Sequence, residues 1–152
     1  MGIFNNLFKK KEITPKIECP RCLGKGHVNE ADIIRLDKEL YWAPGDCAYC
    51  KKTGEVDASL VSKIAVDEMY LTIERTDRER KKIINKDKQA IAKAAEYKEL
   101  IDSFVDHIVL SYTEKKASID DIAETLLVKG PKGIDKGELV RYIKKIIEVK
   151  QL

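Results

Sequence analysis

The stretch "CPRCLGKGHV", Cys19 to Val28, returns in altered form as "CAYCKKTGEV", Cys47 to Val56, and the two copies use all 4 cysteines of the chain. Aligned, they match Cys19 with Cys47, Cys22 with Cys50, Gly26 with Gly54 and Val28 with Val56. Two residues between cysteines let one tight turn aim both sulfurs at a common point. Two such turns supply the four thiolates of a closed, tetrahedral metal site. Closed means structural, because no coordination position is left for water or substrate.

Zinc is the metal such a set suits best, as a single structural Zn2+ on Cys19, Cys22, Cys47 and Cys50. An iron centre on four thiolates stays open, since spacing does not separate the two metals. Disulfides belong with an export signal, which the N-terminus does not present. A thiol-redox pair needs one C-x-x-C in a βαβ setting that the patterning does not provide. His27 finds no vacancy among four thiolates.

Gly24, Gly26 and Gly54 stand where the chain must turn sharply and aim backbone N–H groups at sulfur. The equal spacing of the copies predicts two arms related by an approximate two-fold about the metal. "CPRCLGKG" is a complete C-x-x-C-x-G-x-G, and in this it resembles the cysteine-rich zinc domain of DnaJ-type co-chaperones. The second copy departs at Lys52, where the pattern has glycine, so its turn is expected to be built differently. The resemblance covers residues 17 to 57 and has two repeats where the family's full domain has four. It implies zinc binding and contact with another protein or an unfolded polypeptide. No His-Pro-Asp triplet occurs, so stimulation of an ATPase partner is not implied.

Between the arms, Ala31 to Leu40 reads as a short helix or hairpin arm with Ile33, Ile34, Leu36 and Leu40 on its apolar side. Tyr41, Trp42 and Tyr49 lie beside the metal. They are candidate partner contacts, because aromatic residues dominate binding hot spots, and equally candidates for the small core that covers the site.

Beyond Val56 the pattern turns helical. Residues 58 to 75 read as a connector containing one short helical turn, and residues 76 to 152 as a helical bundle. Thr76 with Glu79 forms a capping box, Asn85 to Asp87 interrupts, and Asp87 caps a second helix through Ala95. A third carries Leu100, Ile101, Phe104, Val105, Ile108 and Tyr112. Ser118 and Asp135 begin two more, separated by the turn "GPKG". The fold class is therefore mainly α, a small four-cysteine zinc module followed by a C-terminal helical bundle.

The composition holds 29 Lys and Arg against 26 Asp and Glu, a net charge of +3, distributed in alternating basic and acidic blocks. Such blocks commonly satisfy one another or face water. The basic stretch 75 to 98, with Arg75, Arg78, Arg80, Lys81 and Lys82, supports an alternative reading as a zinc-ribbon nucleic-acid-binding protein. The near-neutral cysteine module weighs against it. Asp102, Ser103, Asp106 and His107 have the residue types of a hydrolytic triad, but helical geometry spreads consecutive positions around the axis. No catalytic residue is assigned, and the expectation is a non-enzymatic protein.

No apolar run reaches membrane-spanning length, which points to a cytoplasmic protein. Residues 1 to 16 read as a flexible tail, with Ile3, Phe4, Leu7 and Phe8 beside Lys9, Lys10 and Lys11 as one short amphipathic turn.

Overall fold

The computed structural model describes residues 13–152, so the amphipathic turn expected at the N-terminus lies outside the described residues. About half of the chain is helical, with the helices concentrated after the cysteine region.

Four very short strands frame the cysteines: β1 (Lys16–Glu18), β2 (His27–Val28), β3 (Gly45–Asp46) and β4 (Glu55–Asp57). They pair crosswise. β1, which enters the first C-x-x-C turn, is antiparallel to β4, which leaves the second, with Ile17 opposite Val56. β2 leaves the first turn and pairs with β3, which enters the second, with His27 opposite Asp46. Two-residue strands have little stability of their own. Here each is held because the turns that join them meet at one point.

The insert forms α1 (Glu30–Arg35), started by an Asn29 capping box in which Asn29 accepts from the Asp32 amide and Asp32 answers the Asn29 amide. Ile33 is buried, whereas Ile34 is exposed. After β4 the chain forms α2 (Ala58–Lys63) and a run of turns, then α3 (Asp77–Ile84), opened by the expected Thr76–Glu79 capping box.

The expected second and third helices are a single one, α4 (Lys88–Thr113), of 26 residues. Asp87 caps its start as read from the sequence, and no Gly or Pro follows until after Thr113, so nothing breaks the hydrogen-bond ladder between Ala95 and Leu100. Continuity fixes the phase of the helix and turns Leu100, an expected core residue, out to 72% exposure. Ser118 and Asp135 cap α5 (Ile119–Lys129) and α6 (Lys136–Lys150) as expected.

Two cores result. One gathers the cysteines with Val28, Ile33, Trp42, Tyr49, Val56, Ile64 and Leu71. The other joins Val105 and Ile108 of α4, Ile122 and Ala123 of α5, and Leu139, Ile143 and Ile146 of α6. Leu40 belongs to the second core although it lies between the two cysteine pairs in sequence. The Tyr142 hydroxyl donates to the Leu40 carbonyl at 3.2 Å, and Tyr41 packs against both cores while donating to Asp102 of α4. The insert thus reaches from the cysteine region into the helices.

Ile143 is fully buried, so Ile143→Ala should lower the unfolding free energy by about 2–5 kcal/mol. Leu100→Ala on the exposed face should change it by less than about 0.5 kcal/mol. Urea unfolding followed by circular dichroism measures both, and equal losses would contradict this packing.

Candidate metal centre

Each C-x-x-C turn is built by the same run of backbone angles. Leu23 and Lys51 have φ of 50° and 53°, Gly24 and Lys52 have 76° and 70°, and Gly26 and Gly54 have 76° and 79°. The hydrogen bonds repeat with the angles. The Gly26 amide donates to Cys22 Sγ and the Gly54 amide to Cys50 Sγ, both at 3.3 Å. Across the centre the Cys19 amide donates to the Gly54 carbonyl at 2.8 Å and the Cys47 amide to the Gly26 carbonyl at 3.0 Å. This is the two-fold relation expected from the repeat.

Lys52 does not change the turn, contrary to the expectation from its sequence. The reason lies in what a side chain meets at each position. A Cβ at Gly26 would come closer than 3.0 Å to the Lys52 carbonyl, and one at Gly54 equally close to the Gly24 carbonyl. There, backbone packs on backbone and nothing can yield. A Cβ at Gly24 would meet only the flexible side chain of Glu18, at 3.1 Å. That position tolerates a side chain if the left-handed backbone is accepted, at a cost of about 1–2 kcal/mol.

The four sulfurs converge. Cys19 Sγ lies 3.8 Å from Cys47 Sγ, Cys22 Sγ lies 3.8 Å from Cys50 Sγ, and all four fall within 4.8 Å of one another. Zinc–sulfur bonds of about 2.3 Å in a tetrahedron place sulfurs about 3.8 Å apart along each edge. Disulfides need about 2.05 Å, so these are four free thiols in the arrangement of a metal site. Every cysteine is buried, at 0 to 5% exposure, which leaves no opening for a substrate. The donor set and its spacing fit a metal ion, and zinc suits them.

Sulfurs this close compete for charge. A hydrogen bond from Cys47 holds Cys19 down at about 5 despite its burial. The same bond, with burial, pushes the Cys47 thiol far above its ordinary value, and burial raises Cys22 as well. Crowded sulfurs cannot all ionise together unless a cation is among them.

Around the sulfurs lies a shell that the repeat alone does not reveal. Arg21, inside the first C-x-x-C, is 2% exposed and donates to three carbonyls: Nε to Val66 at 2.8 Å, Nη1 to Leu71 at 2.6 Å and Nη2 to Glu68 at 3.1 Å. Its guanidinium lies 4.4 Å from the centre of the Trp42 ring and 5.2 Å from that of Tyr49. Burial pulls its pKa below the usual arginine value, opposed chiefly by the Cys47 and Cys19 sulfurs. Trp42 Nε1 donates to the Met69 carbonyl at 3.2 Å and the Tyr49 hydroxyl to that of Ile64 at 2.8 Å. All three side chains hold the segment 64–71. No periodicity marks Arg21 in the sequence, and its only signal there is an arginine between two ligands.

Of the three aromatic candidates for partner contact, Trp42 and Tyr49 are buried at 9% and 3%, and Tyr41 sits between the two cores. His27 is exposed on β2. Asp102 accepts from Tyr41 and Lys98, whereas Ser103, Asp106 and His107 face solvent on α4.

Asp32 is 2% exposed, and burial works against its charge. Hydrogen bonds from Lys25, the Asn29 amide and Arg35 outweigh that, so the carboxyl is held below its ordinary value.

No family model matches the chain, and neither a curated protein nor a solved structure is significantly similar to it. Among the described residues, no helix is long and apolar enough to cross a membrane.

Two outcomes are expected here. Lys52→Gly should stabilise the metal-loaded protein by about 1 kcal/mol, and Gly54→Ala should destabilise it by several times as much, read as opposite shifts of the thermal midpoint. Asp32→Asn should cost about 2–3 kcal/mol at neutral pH. Because the folded pKa of Asp32 is depressed, its contribution is complete above the unfolded value of about 3.9 and is lost as pH falls through the folded one. The gap between wild type and Asp32→Asn should therefore close below about pH 4 in urea titrations, and a gap independent of pH would contradict the assignment.

Proposed function

We propose that this is a non-enzymatic zinc protein whose metal is structural and whose work is to bind another protein or an unfolded polypeptide segment. The observation that carries the first half is the cluster of four buried sulfurs, on Cys19, Cys22, Cys47 and Cys50, all within 4.8 Å of one another. A metal held this way organises backbone and offers no coordination site for chemistry. The likeness of its first turn to the DnaJ cysteine-rich repeat supports the second half, as a resemblance of motif.

The contact surface is not the aromatic set, which serves the interior. The zinc-bearing region instead exposes Leu23 at the tip of the first turn, at 50%, and Ile34 on α1, at 58%. Both are large aliphatics on elements held rigidly by their neighbours, a form of surface suited to short apolar stretches of polypeptide.

The nucleic-acid reading loses part of its footing. Arg80 spends its guanidinium on the Ile73 and Arg75 carbonyls and on Asp77, so the basic cluster presents fewer free charges than its sequence suggests.

Metal analysis of the purified full chain should find one zinc ion per molecule, and removal by a strong chelator should unfold the cysteine region. A permanently reduced, unfolded carrier polypeptide with a fluorescent label should bind the zinc-loaded protein, and Leu23→Ser with Ile34→Ser should weaken that binding about tenfold. Equal binding by the double variant, or binding only to RNA with a steep salt dependence, would reject the reading.

A further inference from the structure

Arg21 poses a problem of charge. It is 2% exposed, and its three hydrogen-bond acceptors are neutral carbonyls, those of Val66, Glu68 and Leu71. Among the described residues no carboxylate makes an ion pair with it: Asp32 is taken by Lys25 and Arg35, Asp67 pairs with Lys38, and the Glu68 carboxylate acts on it without contact and less strongly than the Cys47 and Cys19 sulfurs. A buried cation without a counter-charge in contact is strongly disfavoured. Carbonyl dipoles and the faces of Trp42 and Tyr49 offset part of that cost. They do not balance the charge.

The sulfurs of Cys47 and Cys19 are the strongest attractive charges acting on the guanidinium. Arg21 stands between two of the four ligands, and its backbone is pinned there by Arg35 Nη2, which donates to the Arg21 carbonyl at 2.7 Å. Four thiolates around a dication carry a net charge of minus two, in a site too buried for water to screen it.

We propose that Arg21 is the buried counter-charge of the metal–thiolate centre and that, through the same guanidinium, metal occupancy governs the docking of residues 64–71 on the cysteine module. This rests on the reading of the four cysteines as a metal site. The two ends of the device are separable. Charge neutralisation needs a cation at this position, whereas docking needs the planar fork that reaches three carbonyls at once. Arg21 is thus a positioning residue, and it ties the ion to the segment that leads through 72–76 into α3. Trp42 and Tyr49 hold the same segment through the Met69 and Ile64 carbonyls, and Ile64 and Leu71 are buried, but its own backbone bonds are isolated turns such as Leu71 N to Glu68 O, and Arg21 reaches three of its carbonyls.

The test separates charge from fork in the full-length, zinc-loaded protein. Arg21→Met should lower zinc affinity about 10–100-fold in competition with a chromophoric chelator, the range seen when groups supporting metal ligands are lost. Arg21→Lys should recover most of that affinity. In hydrogen exchange followed by mass spectrometry, residues 64–71 should lose protection in both variants. Trp42, the sole tryptophan, should report the same loosening by its fluorescence.

Zinc affinity unchanged in Arg21→Met would overturn the counter-charge, and unchanged exchange of 64–71 in Arg21→Lys would overturn the fork. Should Arg21→Met fail to fold, the wild type decides. Stripping zinc should expose the amides of 64–71 and restoring it should protect them again, and no change on stripping would overturn the proposal. Failure of the wild type to take up zinc would overturn the proposed function and this inference together, whereas uptake with no effect of either substitution would remove this inference alone.

Discussion

Four sulfurs 3.8 Å apart along the two cross-module edges hold together strands too short to hold one another. β2 and β3 have two residues each, and β1 and β4 have three. Ladders of that length contribute at most a few weak hydrogen bonds net of their cost in water. The convergence of the C-x-x-C turns supplies the constraint instead, by bringing residues 28 positions apart to one point and making the crosswise pairing geometrically inevitable. A metal bridging the sulfurs would convert that convergence into binding free energy, which in such small modules is folding free energy.

From the centre, order spreads outward through polar contacts more than through apolar bulk. Arg21, Trp42 and Tyr49 each donate to a carbonyl of the 64–71 stretch. That stretch has no long secondary structure and would otherwise leave several acceptors unmet next to an apolar core. Asp32 with Lys25 and Arg35 ties α1 to the loop after Cys22. Leu40 and Tyr41 then hand the insert on to the helices, where Tyr142 and Asp102 receive them. The chain is linked through side chains from the insert as well as through its covalent connector.

The helices stand on a different basis. α4, α5 and α6 share a core of Val105, Ile108, Ile122, Leu139, Ile143 and Ile146. Each begins with a side-chain cap, from Asp87, Ser118 and Asp135 respectively. Their local signals and their packing agree, the consistency that allows a segment to be read from pattern alone. Between Ala95 and Leu100 local signals are silent, and α4 runs on through a segment that has no physical reason to stop.

The amino-acid sequence by itself determined the four-cysteine set, the two-fold repeat, the caps of the later helices and the change from turns to helical spacing near Val56. These are short-range properties: a turn that aims two sulfurs, or a hydroxyl that reaches an amide three residues on, is complete within a few residues. Tertiary structure alone decided that Lys52 can stand in a glycine's place, that Leu100 faces water, that Leu40 serves the far core and that Arg21 lies buried against 64–71. Arg21 and Leu40 depend on atoms that arrive from 45 to 102 residues away, Lys52 on there being only a flexible side chain and no backbone against the matching turn position, and Leu100 on the unbroken phase of α4. A pattern read along one strand of sequence cannot register what a side chain will meet there, because the deciding contact is made by another part of the chain.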